Sequence, residues 1–207
     1  MVQRRTTPRT TAPMLIDSLD FSELHALRDD GDWDSAAAHL IDSAKRLEDA
    51  GAEGLVICAN SMHKDFAQIA DAAAIPILHA ADCIGKRASE SENSLIALIG
   101  RRNVMTESFF RERIVAHGVD LMAPVMSDVE EIDTIIYKEL MAGKVSRNAE
   151  RALKTIITQK EQAGATAIIL ACTELELIVD IDANVLPIFD SARIHCEAAV
   201  EWILQEQ

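Results

Sequence analysis

Two short apolar runs that each stop at a cysteine constrain this chain more than any other feature. They read Gly54-Leu55-Val56-Ile57-Cys58-Ala59-Asn60-Ser61 and Ala167-Ile168-Ile169-Leu170-Ala171-Cys172-Thr173-Glu174. Each has the length of a strand, is too short for a helix of its own, and gives way to small polar side chains directly after the thiol. In open α/β sheets, ligands gather outside the carboxyl ends of buried strands, where the next helix also points its free N–H groups. Both thiols are therefore expected at a shared ligand-binding edge, with thiolate character drawn from those helix N-termini.

The segments around these runs alternate between the two periodicities. Residues 1 to 13 carry Arg, Thr and Pro without an apolar period and read as an irregular or mobile lead-in. Met14 to Phe21 has strand length, and a short helix follows from Ser22. Trp33 to Ala50 has apolar residues at helical spacing and stops at Gly51. Asn60 or Ser61 can cap a helix over Met62 to Ala74. Further strands are expected at Ile75 to His79, Ser94 to Gly100, Val119 to Pro124 and Pro187 to Asp190. Further helices are expected at Asp82 to Ser91, around Phe109 to Val115, at Val129 to Met141, Asn148 to Ala163 and Ala192 to Gln205. Strands alternating with helices imply an α/β fold with parallel strands and crossover connections. Ala50-Gly51-Ala52 and Ala163-Gly164-Ala165 stand before the two cysteine runs, so helix, glycine stop, strand and thiol occur twice.

Two thiols facing one another across a cleft can act as proton acceptor and proton donor on opposite faces of one carbon, which inverts a stereocentre. The competing reading makes both of them buried small hydrophobes; the polar residues directly after each weigh against it. Asn60, Ser61 and Thr173 can hold an anionic group such as a carboxylate, or cap helices. His63 and Glu174 are placed to orient a substrate or a thiol. His79, Asp82 and His195 lie near other strand ends, whereas Cys83 and Cys196 have no apolar strand feeding into them and read as packing residues. There is no glycine-rich phosphate loop, and the His and Cys spacing suggests no metal site.

Composition removes other classes. A net charge of −14 argues against nucleic acid as a partner, since phosphate binding requires clustered Lys and Arg. No apolar run approaches the roughly 18 residues of a membrane helix, so no membrane partner is expected. Four cysteines with no C-x-x-C pair and no hydrophobic leader fit a reducing, cytoplasmic setting better than a disulfide framework.

Cys58-Ala59-Asn60-Ser61-Met62-His63 and Ala171-Cys172-Thr173-Glu174 resemble the two signature motifs of the aspartate/glutamate racemase family, which includes hydantoin racemases. The resemblance extends to Ile75 to Asp82, Val104 to Phe110, Ile136 to Leu140 with Gly143, and Asp190 to His195, in the manner of the amino-acid racemase branch. It implies a cofactor-independent racemase acting on an amino acid, acidic by family habit, and working as a homodimer. It also implies two Rossmann-like lobes related by a pseudo-twofold axis, 1–92 plus 187–207 and 93–186, with the active site between them. Cys58 and Cys172 match the two catalytic positions, and Asn60, Ser61 and Thr173 match residues that hold the substrate carboxylate. Ser61 stands where the family commonly has Thr, and Ala171 where it commonly has Gly. The strand and Gly-Gly-Met-Ser-type loop that open most members have no counterpart, so the first lobe is expected to lack a central strand and the site one wall. Other readings of the same motifs are hydantoin racemisation, maleate isomerisation, a non-catalytic carboxylate-binding remnant, and a Cys58–Cys172 redox pair.

Overall fold

The computed structural model describes residues 1–6, 9–92 and 94–205. Among the described residues five strands form, all in parallel ladders: β1 (Leu55–Val56) with β2 (Ile77–Leu78), and β3 (Ile96–Gly100), β4 (Ala167–Ala171) and β5 (Ile188–Asp190) in the order β3-β4-β5. Helices connect them, so the class is α/β. By its internal contacts the chain divides into two compact units. One comprises 1–57, 62–78 and 199–207; the other comprises 58–61 and 79–198. These contact-based units do not coincide with the lobe boundaries expected above.

The first unit is built on the helix Trp33–Asp49. Asp32 opens it by accepting a hydrogen bond from the Ser35 amide, and Ala36, Ala37 and Ala44 recur at the spacing that buries one face. Its stripe packs with Leu55 of β1 and Ile69 of the helix Phe66–Ala72 in a small apolar core. Gly54 lies directly against the Trp202 indole, so that even a methyl group at that position would collide with the ring.

The second unit holds the larger core. Every residue of β3 and β4 is buried, as expected of parallel strands covered on both faces. Ala97, Ile99, Ile168 and Leu170 share one face with Val129, Ile132 and Ile136 of the helix Met126–Lys138 and with Leu153, Ile156 and Ile157 of the helix Arg147–Gln162. Lys160 is buried at the end of that last stripe and pairs with Asp128. Gly100 closes β3 where a Cβ would come within 2.7 Å of the Ala171 carbonyl oxygen.

Several expectations are corrected. The lead-in contains a short helix, Val2–Arg5; Thr7 and Pro8 of the same segment lie outside the described residues. Met14 to Phe21 forms no strand: Met14, Leu15 and Ile16 are exposed and outside any ladder, and a strand exists only through a hydrogen-bonded neighbour. Asp20 instead caps the helix Phe21–Asp29 through the Ser22 amide at 2.8 Å. The helix expected from Met62 begins only at Phe66, after a 3-10 segment Asn60–Asp65. Val119 to Pro124 is reduced to a single bridge between Leu121 and Ile96. The helix expected around Phe109 to Val115 forms as Ser108–Ala116, and Glu107 separates it from a short helix, Arg102–Thr106, that was not expected. Among the described residues, no helix is long and apolar enough to cross a membrane.

Candidate active site

The chain leaves β4 at Cys172 and turns at once into a 3-10 segment, Thr173–Leu177. Leu175 anchors this segment by full burial, while Cys172 itself belongs to the large apolar core and is 7% exposed. The thiol donates to Glu174 Oε2 at 2.9 Å, and the Thr173 hydroxyl donates to the same oxygen at 2.9 Å. Burial pushes the Cys172 thiol well above its ordinary range, and the Glu174 carboxylate pushes it further in the same direction. Cys172 is therefore a protonated thiol in this arrangement. Neither cysteine leads directly into the α-helix expected from the sequence: 3-10 segments, Asn60–Asp65 and Thr173–Leu177, follow the two thiols.

Cys58 lies two residues beyond β1 and is exposed. Asn60 does not cap a helix: its Nδ2 donates to Ser191 Oγ at 2.8 Å, which ties the segment to the start of the helix Ser191–Gln205. Ser61 presents its backbone carbonyl to Asn103 Nδ2 at 3.4 Å. Ser191 is fully buried and Asn103 nearly so, and Asp190 Oδ1 accepts from the Ala192 and Arg193 amides at 2.9 and 3.3 Å. The structure thus gathers Asn60 and Ser61 with Ser191 and Asn103, and gathers Cys172, Thr173 and Glu174. Both sets lie within the second compact unit.

The remaining candidates divide. His79 is buried and caps the helix Ala80–Ser89, its Nδ1 accepting from the Ala81 amide at 3.1 Å, which leaves its proton on Nε2. His195 is buried on the last helix. Asp82 is engaged in an ion pair with Arg113 at 2.7 Å. His63 is buried and stacks nearly parallel on Phe66 in the first unit. Cys83 is buried, as a packing residue should be; Cys196 is exposed, which corrects that expectation, and partial burial with the nearby Cys58 thiol pushes its own thiol upward. No disulfide joins any of the four cysteines, all of which are described residues. The residues missed from sequence are Ser191 and Asn103.

The family model described as Asp/Glu/Hydantoin racemase matches residues 1–199. The chain belongs to the Asp/Glu/hydantoin racemase family. Among solved structures it is similar to one from Yersinia pestis assigned as an Asp/Glu racemase, with 35% identity, a TM-score of 0.89, and 99% of this chain and 89% of that one covered. It is also similar to an aspartate racemase homologue from Pyrococcus horikoshii, with 28% identity, a TM-score of 0.81 and coverage of 98% and 89%. The broad-specificity amino-acid racemase RacX of Bacillus subtilis is 21% identical over 178 residues, which are 85% of this chain and 76% of that protein. Family membership agrees with the α/β fold and its parallel strands.

Proposed function

We propose that this chain racemises an amino acid, with an acidic side chain as the leading substrate class, by 1,1-proton transfer between Cys58 and Cys172 without pyridoxal phosphate. The observation that carries the reading is the setting of Cys172, a buried thiol at the end of β4 that donates a hydrogen bond to Glu174. A thiol held in that form at a strand end is a proton donor at rest. The exposed Cys58 supplies the other half: as a thiolate it removes the α-proton to leave a carbanion, and the Cys172 S–H bond then breaks as its proton joins the opposite face of Cα. Cys58 ends the step as a thiol and Cys172 as a thiolate, and the reverse reaction exchanges the roles.

An α-proton is far less acidic than a thiol, whose reference pKa is about 8.5. The carbanionic intermediate must therefore be stabilised by hydrogen bonds to the substrate carboxylate, out of reach of bulk water. Asn60, Ser61 and Thr173 are the donors assigned to that carboxylate. Thr173 already spends its hydroxyl on a carboxylate, that of Glu174, so substrate takes a contact that the protein itself makes at rest. The same reading has the chain acting as a homodimer in the cytoplasm.

Proton NMR in D2O tests the reaction, using the purified chain with L- and D-amino acids, a hydantoin and maleate. Loss of the α-proton signal from aspartate or glutamate is expected, with each of Cys58→Ala and Cys172→Ala reducing exchange at least about a thousandfold, on the order of 4 kcal/mol of barrier. Exchange confined to the hydantoin or to neutral amino acids would overturn the substrate class, and a cysteine variant with wild-type turnover would remove that cysteine from the mechanism.

A further inference from the structure

We propose that Arg101 is a positioning residue for Cys172, the counter-charge that holds the thiolate left when Cys172 gives up its proton. This rests on the two-thiol reading above. In the parallel ladder Gly100 stands opposite Ala171, so the next residues, Arg101 and Cys172, leave the sheet side by side. Alternation along a strand then fixes their face. Ala97 and Ile99 share a core face with Ile168, Leu170 and Cys172, and the same period carries Arg101 onto it.

The contacts of the guanidinium agree with that placement. Nε donates to Asp133 Oδ1 at 2.8 Å, Nη1 approaches Met141 Sδ at 3.5 Å, and the group lies over the Tyr137 ring at 5.4 Å. The side chain is 11% exposed. A guanidinium is charged at every accessible pH and carries five N–H donors in a fixed fork, of which these contacts use two. The charged groups around the thiol are thus Glu174 from its own turn and Arg101 from the end of β3, with Asp133 behind Arg101 on the helix Met126–Lys138. Burial first and the Glu174 carboxylate next push the Cys172 thiol upward, and Arg101 pulls it downward by less.

The need arises from the proton count. When the Cys172 S–H bond breaks and its proton forms the new bond at Cα, the electron pair stays on sulfur, at hydrogen-bond distance from the Glu174 carboxylate. Two anions that close disfavour each other strongly where water is scarce. Arg101 offsets this charge until the sulfur takes its next proton.

The test follows iodoacetamide labelling of Cys172 in the full chain between pH 7 and 10, resolved by peptide mass. Labelling proceeds through the thiolate, and a shift of about one pKa unit changes its rate about tenfold. Arg101→Gln is expected to slow labelling of Cys172 about tenfold at each pH, Arg101→Lys to leave it within about threefold, and Glu174→Gln to speed it about tenfold. The double variant Arg101→Gln/Glu174→Gln should label faster than Arg101→Gln alone. Faster or unchanged labelling in Arg101→Gln overturns the proposal, because a merely structural arginine would loosen the core and expose the thiol. If Arg101→Gln does not fold, Arg101→Met with Asp133→Asn removes both ion-pair partners together and carries the same expectation. Labelling is read without turnover. A chain showing these rates but no Cα exchange supports Arg101 as the counter-charge, and the failure falls on the racemase reading alone.

Discussion

The two cysteine-bearing strand ends share a backbone and differ in their surroundings. Ahead of Cys58, the helix Trp33–Asp49 stops as the Gly51 amide bonds to Glu48 and the Ala52 amide to Leu47. Ahead of Cys172, the Gly164 amide bonds to Glu161 and the Ala165 amide to Lys160. Gly51 and Gly164 have φ of 93° and 97°, so both ends are the same Schellman stop, in which glycine takes the left-handed conformation without penalty. A parallel strand and then a 3-10 segment follow in each case. Yet β4 has five buried residues and neighbours on both sides, whereas β1 has two residues and one neighbour. One local plan thus yields an exposed thiol at the short strand and a buried, protonated one at the long strand. The chemistry assigned to the pair needs that inequality, since an acceptor and a donor must differ at the moment of reaction.

Thiol labelling probes the comparison most directly. Iodoacetamide should modify Cys58 about a thousandfold faster than Cys172 in the folded chain at pH 8, a difference of about 4 kcal/mol, and the two should converge in denaturant. Equal rates in the folded chain would erase the distinction. Next comes packing at the strand ends. Gly100→Val should cost about 2–4 kcal/mol in urea unfolding, because its Cβ meets backbone that cannot step aside. Gly54→Ala should cost less, about 1–2 kcal/mol, because the obstacle is the Trp202 side chain. A larger cost at Gly54 would mean that the short strand is the more rigid of the two.

The smallest effect is one of pH. A thiol whose pKa is raised by folding binds its proton more tightly in the native state, so its contribution is fully present below the unfolded value of about 8.5 and is lost as pH rises towards the folded one. Stability should fall between pH 8.5 and 9.5 by up to about 1 kcal/mol more in the parent than in Cys172→Ala. Parallel pH profiles for the two proteins would show that Cys172 does not titrate as its surroundings require.

Much of the second unit was legible in the sequence because its elements are long. Leu95 to Ile99 and Ala167 to Ala171 are uninterrupted apolar runs, and the helix Arg147–Gln162 shows a full amphipathic period behind its Ser146 cap. The first unit was harder, because Met14-Leu15-Ile16 has strand composition but no ladder, and composition does not reveal whether a neighbour exists. At the candidate site, the thiols and the polar residues beside them could be named from the chain. The ionisation of Cys172 could not, because it is set by Glu174 lying at 2.9 Å and by burial, neither of which spacing alone reveals. Ser191 and Asn103 were missed because their partners, Asn60 and Ser61, are remote in the chain.

The register of β3 against β4 has a consequence for how this protein tolerates change. Side chains alternate faces along a strand, so Arg101 and Cys172 share a face only while an even step separates each from the core residues Ile99 and Leu170. Insertion of one residue between Ile99 and Arg101 would keep the sequence motifs and much of the sheet, yet turn the guanidinium away from the thiol. Insertion of two would restore its direction and lose only its reach. Length variation in this stretch should therefore follow parity, with odd changes slowing Cys172 labelling as Arg101→Gln does in a chain that still folds.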